Sequence, residues 1–269
     1  MGSPSTGHQQ NPVPGNPAQW NFLVKEHSER HAAALELAHQ LERSREARLR
    51  QFDGHQWRPQ SQFVAAWQAR RLAHTHADLL ASDRYGPPTI YFMTDLYGEQ
   101  DFTSRDEGVE RIYPMLARLL PGKALKTIAL GIELHALSQT LDLALTDMLY
   151  TTMGHTGPVT AAGYAEAYRR CDNRPQREAQ IDLVGVVGRS LDSVVFLPGL
   201  WRLVRMAGPP ARVSGLGELH HFIERGFQAF RHMKGAETFL DTITVREREL
   251  METLFAGKPP AGWAPPDSP

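Results

Sequence analysis

Apolar positions along this chain recur at spacings of three and four, with charged residues between them, as in helices with one buried face. Over 20–52 the pattern runs through Trp20, Leu23, Val24, Leu35, Ala38, Leu41, Leu49 and Phe52, until Gly54 and Pro59 break it. A second helix is expected over about 61–82, with Ser61 as its N-cap and Phe63, Trp67, Ala73, Ala77 and Leu80 on one face. Pro87-Pro88 opens the apolar segment TIYFMTDLYG. There Tyr91, Phe92 and Met93 are consecutive, which defeats a period of two, so a helix with Pro88 in its first position is expected. Val109, Ile112, Leu116 and Leu119 mark another helix, stopped by Pro121. The stretch 124–153 is the most apolar and ends at Gly154 and Gly157-Pro158. Thr160 can cap a short helix holding Tyr164 and Tyr168, and Pro175 starts a long one that Pro198-Gly199 kinks or ends. Residues 205–217, with Gly208, Pro209 and Pro210, read as a loop, and two helices over 217–233 and 236–255 close the pattern.

With no Asn-Gly or Asp-Gly hairpin signal between alternating runs, the expected class is all-α. The expected architecture is a single-domain bundle of about eight or nine helices over residues 18–256. Residues 1–17 and 257–269 are rich in Pro and poor in large apolar groups, Trp263 excepted, and are expected to be disordered tails.

Composition narrows the function without naming one. A net charge of −1 in 269 residues supplies no global field for nucleic acid or an anionic membrane. Cys171 is the sole cysteine, so an internal disulfide and a Cys-rich zinc site are excluded. The N-terminal residues carry no apolar signal-peptide core, and no run of 18 uninterrupted apolar residues occurs, so a soluble cytoplasmic protein is expected. No GxxxxGK[ST] loop, no GxGxxG after a strand and no GxSxG elbow is present.

The 124–153 helix holds the candidate chemistry. A helix apolar all round is normally core, where isolated polar groups are costly. Yet His135, Gln139, Asp142 and Thr146, with Ser138 at the edge, fall within an arc of ~100° at helical spacing. Glu133, Thr140 and Asp147 lie on roughly the opposite side. The first stripe either lines a pocket, with His135 and Asp142 as ligands or acid–base groups, or forms a helix–helix contact. In the second case Asp142 pairs with an arginine from elsewhere and Ser138 or Thr146 bonds back to its own helix.

A di-iron bundle needs two Glu-x-x-His helices, and Glu218-Leu219-His220-His221 is a run with that spacing in a helix. His135, Glu218 and His221 are therefore weak metal candidates, and no metal is expected. His27 and His31, like His74 and His76, read as helix faces rather than ligand pairs. Tyr91, Tyr97, Arg105 and Asp106 cluster around a Gly-containing loop. Asp106 suits the N-terminus of the next helix and Arg105 can pair with Asp95 or Asp101, while Tyr97 and Arg105 also join the candidate pocket residues. The arginine-rich RSREARLR (43–50) shares its helix with five acids and lacks interleaved aromatics, so a solvated face is expected, not a nucleic-acid site.

The segment YFMTDLYGEQDFTSRD (91–106) resembles a bacterial family of uncharacterised proteins named for its FFLEELY motif. Phe92, Leu96 and Tyr97 match that motif, Asp95 keeps the acid, and Tyr91, Met93 and Thr94 depart from it. WQARRL (67–72), RYGPP (84–88) and RE (246–247) extend the likeness over about 60–255. The resemblance implies kinship and no activity or cofactor. The functional expectation is a non-catalytic module that binds a small molecule or a protein, a second copy of itself included, with neither nucleic acid nor membrane as partner. The alternative is a helical metal- or cofactor-dependent enzyme with its site on the 124–153 helix.

Overall fold

The computed structural model describes residues 17–52, 59–96 and 103–265. These residues form eleven helices and no strand. They are α1 (Pro17–Phe52), α2 (Pro59–Thr75), α3 (Ala77–Leu80), α4 (Gly86–Tyr91), α5 (Thr103–Leu119), α6 (Gly122–Thr146), α7 (Ala161–Arg170), α8 (Arg174–Val194), α9 (Leu200–Val213), α10 (Gly217–Met233) and α11 (Glu237–Phe255). The all-α expectation holds. The count exceeds eight or nine for two local reasons.

The first is a break in the helix expected over 61–82. Pro59, pre-set for a helical first turn, starts α2 two residues before Ser61, which therefore lies inside the helix and is not its cap. The helix then breaks at His76, whose ψ of 29° departs from helical values before the single turn of α3. The second is α9. Residues 205–213, expected in a loop, are helical despite Pro209 and Pro210. Each proline removes a backbone donor and crowds the carbonyl four residues back, a cost that the packing of α9 offsets, while its fixed φ is compatible with a helix. The inner side of α9 supplies Leu200, Trp201 and Val204 to the core, and the His220 ring donates from Nε2 to the Val204 carbonyl at 2.8 Å. Gly199, at φ 78°, makes the turn between α8 and α9 that a side chain would oppose, and the two helices meet at 93°.

Helix α6 threads the bundle and explains its own composition. Leu125, Ala129 and Ile132 join Leu37 and Leu41 of α1 in one core cluster. Leu134 meets α8, α10 and α11 in a second, and Leu145 packs with α2, α7 and α11 in a third that continues to Leu149. Each of these stretches has a different apolar neighbour, which is why the helix is apolar around most of its circumference, the stripe through Ser138 and Asp142 excepted. By length and composition alone Gly122–Thr152 can also cross a membrane, a test that the core helix of a bundle passes equally. Past Thr146 the helix widens into π turns over Asp147–Thr152, as α4 does over Phe92–Leu96. Thr160 caps α7 as expected, its hydroxyl accepting from the Gly163 N–H at 3.1 Å. Beyond α11 the chain folds back, and the Trp263 ring packs against Trp67 and Tyr164 with centroids 5.5 and 6.0 Å apart.

A buried polar cavity as the candidate functional site

Between α2, α6, α7, α8 and α11 lies a cavity of about 90 Å³. Its apolar wall comes from Leu72, Phe92, Met93, Ile181, Val184 and Ile243, and polar side chains make up the rest. Polar groups withdrawn from water must find partners or cost folding energy, so their pairing is informative.

At one side stands an ion pair. Arg71 of α2, 8% exposed, donates from Nη1 to both oxygens of Glu247 on α11, at 2.5 and 2.6 Å. The His76 ring, placed by the break after α2, reaches the same carboxylate through Nε2 at 3.0 Å. A carboxylate only accepts, so Nε2 carries the proton. Burial by itself would raise the Glu247 pKa; the Arg71 charge and the hydrogen bonds from His76 and Arg71 outweigh it and hold the carboxyl at about 2.

Across the cavity the balance differs. Asp142 of α6 accepts from Gln68 Nε2 at 3.0 Å, and the same amide lies 3.3 Å from the Tyr164 hydroxyl. Burial pushes the Asp142 carboxyl above its usual range, and neither the nearby Arg177 charge nor the Gln68 hydrogen bond offsets it. Arg177 of α8, 5% exposed, donates from Nη1 to Gln180 Oε1 at 3.2 Å and from Nη2 to the Leu141 carbonyl at 3.4 Å. Its guanidinium lies 4.7 Å from the centre of the Tyr168 ring. It makes no ion pair with any described residue. Three nitrogens around the cavity, Arg71 Nε, His76 Nδ1 and Arg177 Nε, are buried without a hydrogen-bond partner.

The stripe on α6 divides along its length. Asp142 lines the cavity. Ser138 stands behind it, accepting from Gln180 Nε2 at 2.8 Å. Thr146 is buried and donates back to the Asp142 carbonyl at 2.7 Å, as a packing role requires. His135 and Gln139 are half-buried on the same helix and are not among the cavity-lining residues. Tyr97 and the side chain of Arg105 lie outside the described residues. Glu218 and His221 are exposed on α10. Among the described residues no three His, Cys, Asp or Glu side chains are placed to hold a metal ion. The Cys171 thiol, pushed up by burial, points 3.6 Å from the Ala144 carbonyl.

Sequence reasoning picked out Asp142 and missed its neighbours. Arg71 and Glu247 are 176 positions apart, and no spacing rule joins them. From sequence His76 reads as a helix face, because its burial depends on the break after α2. One signal pointed the right way: WQARRL supplies Gln68 and Arg71, RE supplies Glu247, and the 91–97 segment supplies Phe92 and Met93. Three segments quoted for the family likeness meet at one cavity.

No curated protein and no solved structure matches the chain. A family described as a domain of unknown function, DUF8198, matches residues 32–261. That is most of the 269 residues, and the chain belongs to this family.

Proposed function

We propose that this chain is a small-molecule-binding protein whose ligand occupies the cavity between α2, α6, α7, α8 and α11. The observation that carries the reading is the set of three buried, unpartnered nitrogens on Arg71, His76 and Arg177. A folded protein rarely leaves such groups unsatisfied without a use for them. Concave, largely apolar sites with a few convergent polar groups are the usual form of small-ligand sites. A packed seam between helices, the other account of the α6 stripe, suits Ser138 and Thr146 but leaves these three nitrogens without a purpose. The reading is of a non-catalytic binder in the bacterial cytoplasm, akin to the FFLEELY-motif proteins through residues 91–97. An enzyme is favoured by one observation: the raised carboxyl of Asp142 in a cavity is the property of a general acid. Turnover of a bound compound, lost in Asp142→Asn, would select it.

The test is a nuclear magnetic resonance screen of the purified protein against polar metabolites, beside the variant Thr244→Phe. Thr244 lines the cavity and is half-buried, its hydroxyl donating only within α11, so a phenyl ring there fills the space. Saturable one-to-one binding by at least one compound, lost in a folded Thr244→Phe, is expected. A screen without a binder, or binding that survives the filled cavity, refutes the proposal.

A further inference from the structure

We infer that the ligand of this cavity is a small carboxylate, gripped by the guanidinium of Arg177. The inference rests on the cavity being a binding site and adds the chemical class of its occupant.

The two arginines of the cavity are not equivalent. Arg71 has its counter-ion, since both oxygens of Glu247 lie within 2.6 Å of its Nη1. Arg177 is at least as buried and has none: its two hydrogen bonds go to an amide oxygen and a backbone carbonyl, both neutral. A guanidinium presents five N–H groups in a rigid fork. Nε is unpaired, and Nη2 spends one of its two hydrogens on Leu141. Nε and Nη2 therefore each keep an N–H, two donors on adjacent nitrogens for the two oxygens of a carboxylate. The Tyr168 ring beneath the guanidinium and Gln180 at Nη1 hold these donors in one orientation before a ligand arrives.

Charge points the same way. Arg71 and Glu247 cancel, whereas Asp142 is held by Gln68 and makes no ion pair with Arg177, so among the described residues Arg177 is the cavity charge without a contacting counter-ion. Burying an unpaired charge is costly, and one anionic oxygen pair from outside relieves it. Size limits the rest of the molecule. An engineered cavity of roughly 150 Å³ holds benzene, and this one, at about 90 Å³, is smaller. An aliphatic acid of a few carbons fits, with its alkyl part against Phe92, Ile181, Val184 and Ile243.

The experiment titrates the full chain with sodium propionate and with propionamide, its neutral isostere, at constant ionic strength, followed by nuclear magnetic resonance. Propionate should bind about tenfold or more tightly than propionamide, the worth of one charge-assisted hydrogen-bonded contact. Arg177→Met should abolish that preference. Arg177→Lys keeps the charge and loses the fork, so a folded Lys variant should also bind propionate about tenfold or more weakly. Equal binding of acid and amide, displacement of propionate by equimolar chloride, or full binding by the Lys variant each overturns the carboxylate assignment. If neutral or cationic compounds bind, are lost in Thr244→Phe and propionate does not bind, the cavity stands as a site and this inference alone falls. If nothing binds, both fall.

Discussion

Replacing Glu247 by leucine tests whether the Arg71–Glu247–His76 cluster is a true buried ion pair. In the folded protein the carboxylate accepts two hydrogen bonds from Arg71 and one from His76. The variant leaves a guanidinium only 8% exposed without its counter-charge, and breaking a buried pair in this way costs about 3–5 kcal/mol. The electrostatic balance at the carboxyl points to a similar magnitude. A folded pKa of about 2 against an ordinary 4.5 corresponds to roughly 3 kcal/mol of preference for the ionised form. At about 2–4 °C per kcal/mol for a chain near this size, Glu247→Leu should lower the calorimetric midpoint at pH 7 by roughly 6–12 °C. The pH dependence carries a sign. Because the folded pKa is depressed, the contribution is complete above about pH 4.5 and is lost as pH falls toward 2. The gap between wild type and variant should therefore close over that window. Arg71→Met/Glu247→Leu should cost less than Glu247→Leu alone, although His76 Nε2 then lacks its acceptor, at about 1–3 kcal/mol. A midpoint lowered by less than about 2 °C, a gap that ignores pH, or a double variant equal to the sum of its singles would refute the reasoning.

Two further substitutions probe the opposite balance and the helix packing. Asp142→Asn keeps the acceptor for Gln68 and removes a carboxylate whose folded pKa is raised. Ionisation costs stability as pH rises past its ordinary 3.8, so thermal midpoints of the Asn variant should match or exceed wild type at pH 7 and lose that advantage near pH 3. Gly188→Ala would place a Cβ 2.8 Å from Leu240 Cδ1, where Leu240 is fully buried between α8 and α11. Overpacking should cost about 1–3 kcal/mol, partly offset by the ~1 kcal/mol helix preference of alanine, and a urea midpoint unchanged from wild type would contradict this close approach.

Helices were legible because each is a local event. Threes and fours of apolar residues, a proline at the start and a glycine at the end act within a few turns. The Thr160 cap and the turn at Gly199 were readable for that reason. Misreadings arose where tertiary contacts overrode a local signal. Pro209-Pro210 spells a break, yet the core contacts of Leu200, Trp201 and Val204 extend through α10 to keep the helix whole.

The site divides along the same line. The residues of α6 showed from sequence alone that a polar stripe crosses an apolar helix, since periodicity orders side chains around one axis. Periodicity is silent on which other axis each face meets. Asp142 reaches the cavity, while Thr146, one turn on, returns its hydroxyl to the Asp142 carbonyl. Local pattern alone establishes the helical class and the apolar central helix. That the segments 67–72, 92–93 and 246–247 meet at one cavity is a matter of tertiary packing. A buried charge is stabilised by whatever lies within a few ångströms of it, and for Arg71 and Arg177 those neighbours come from other helices. That is why one arginine has a counter-ion and the other has none among the described residues.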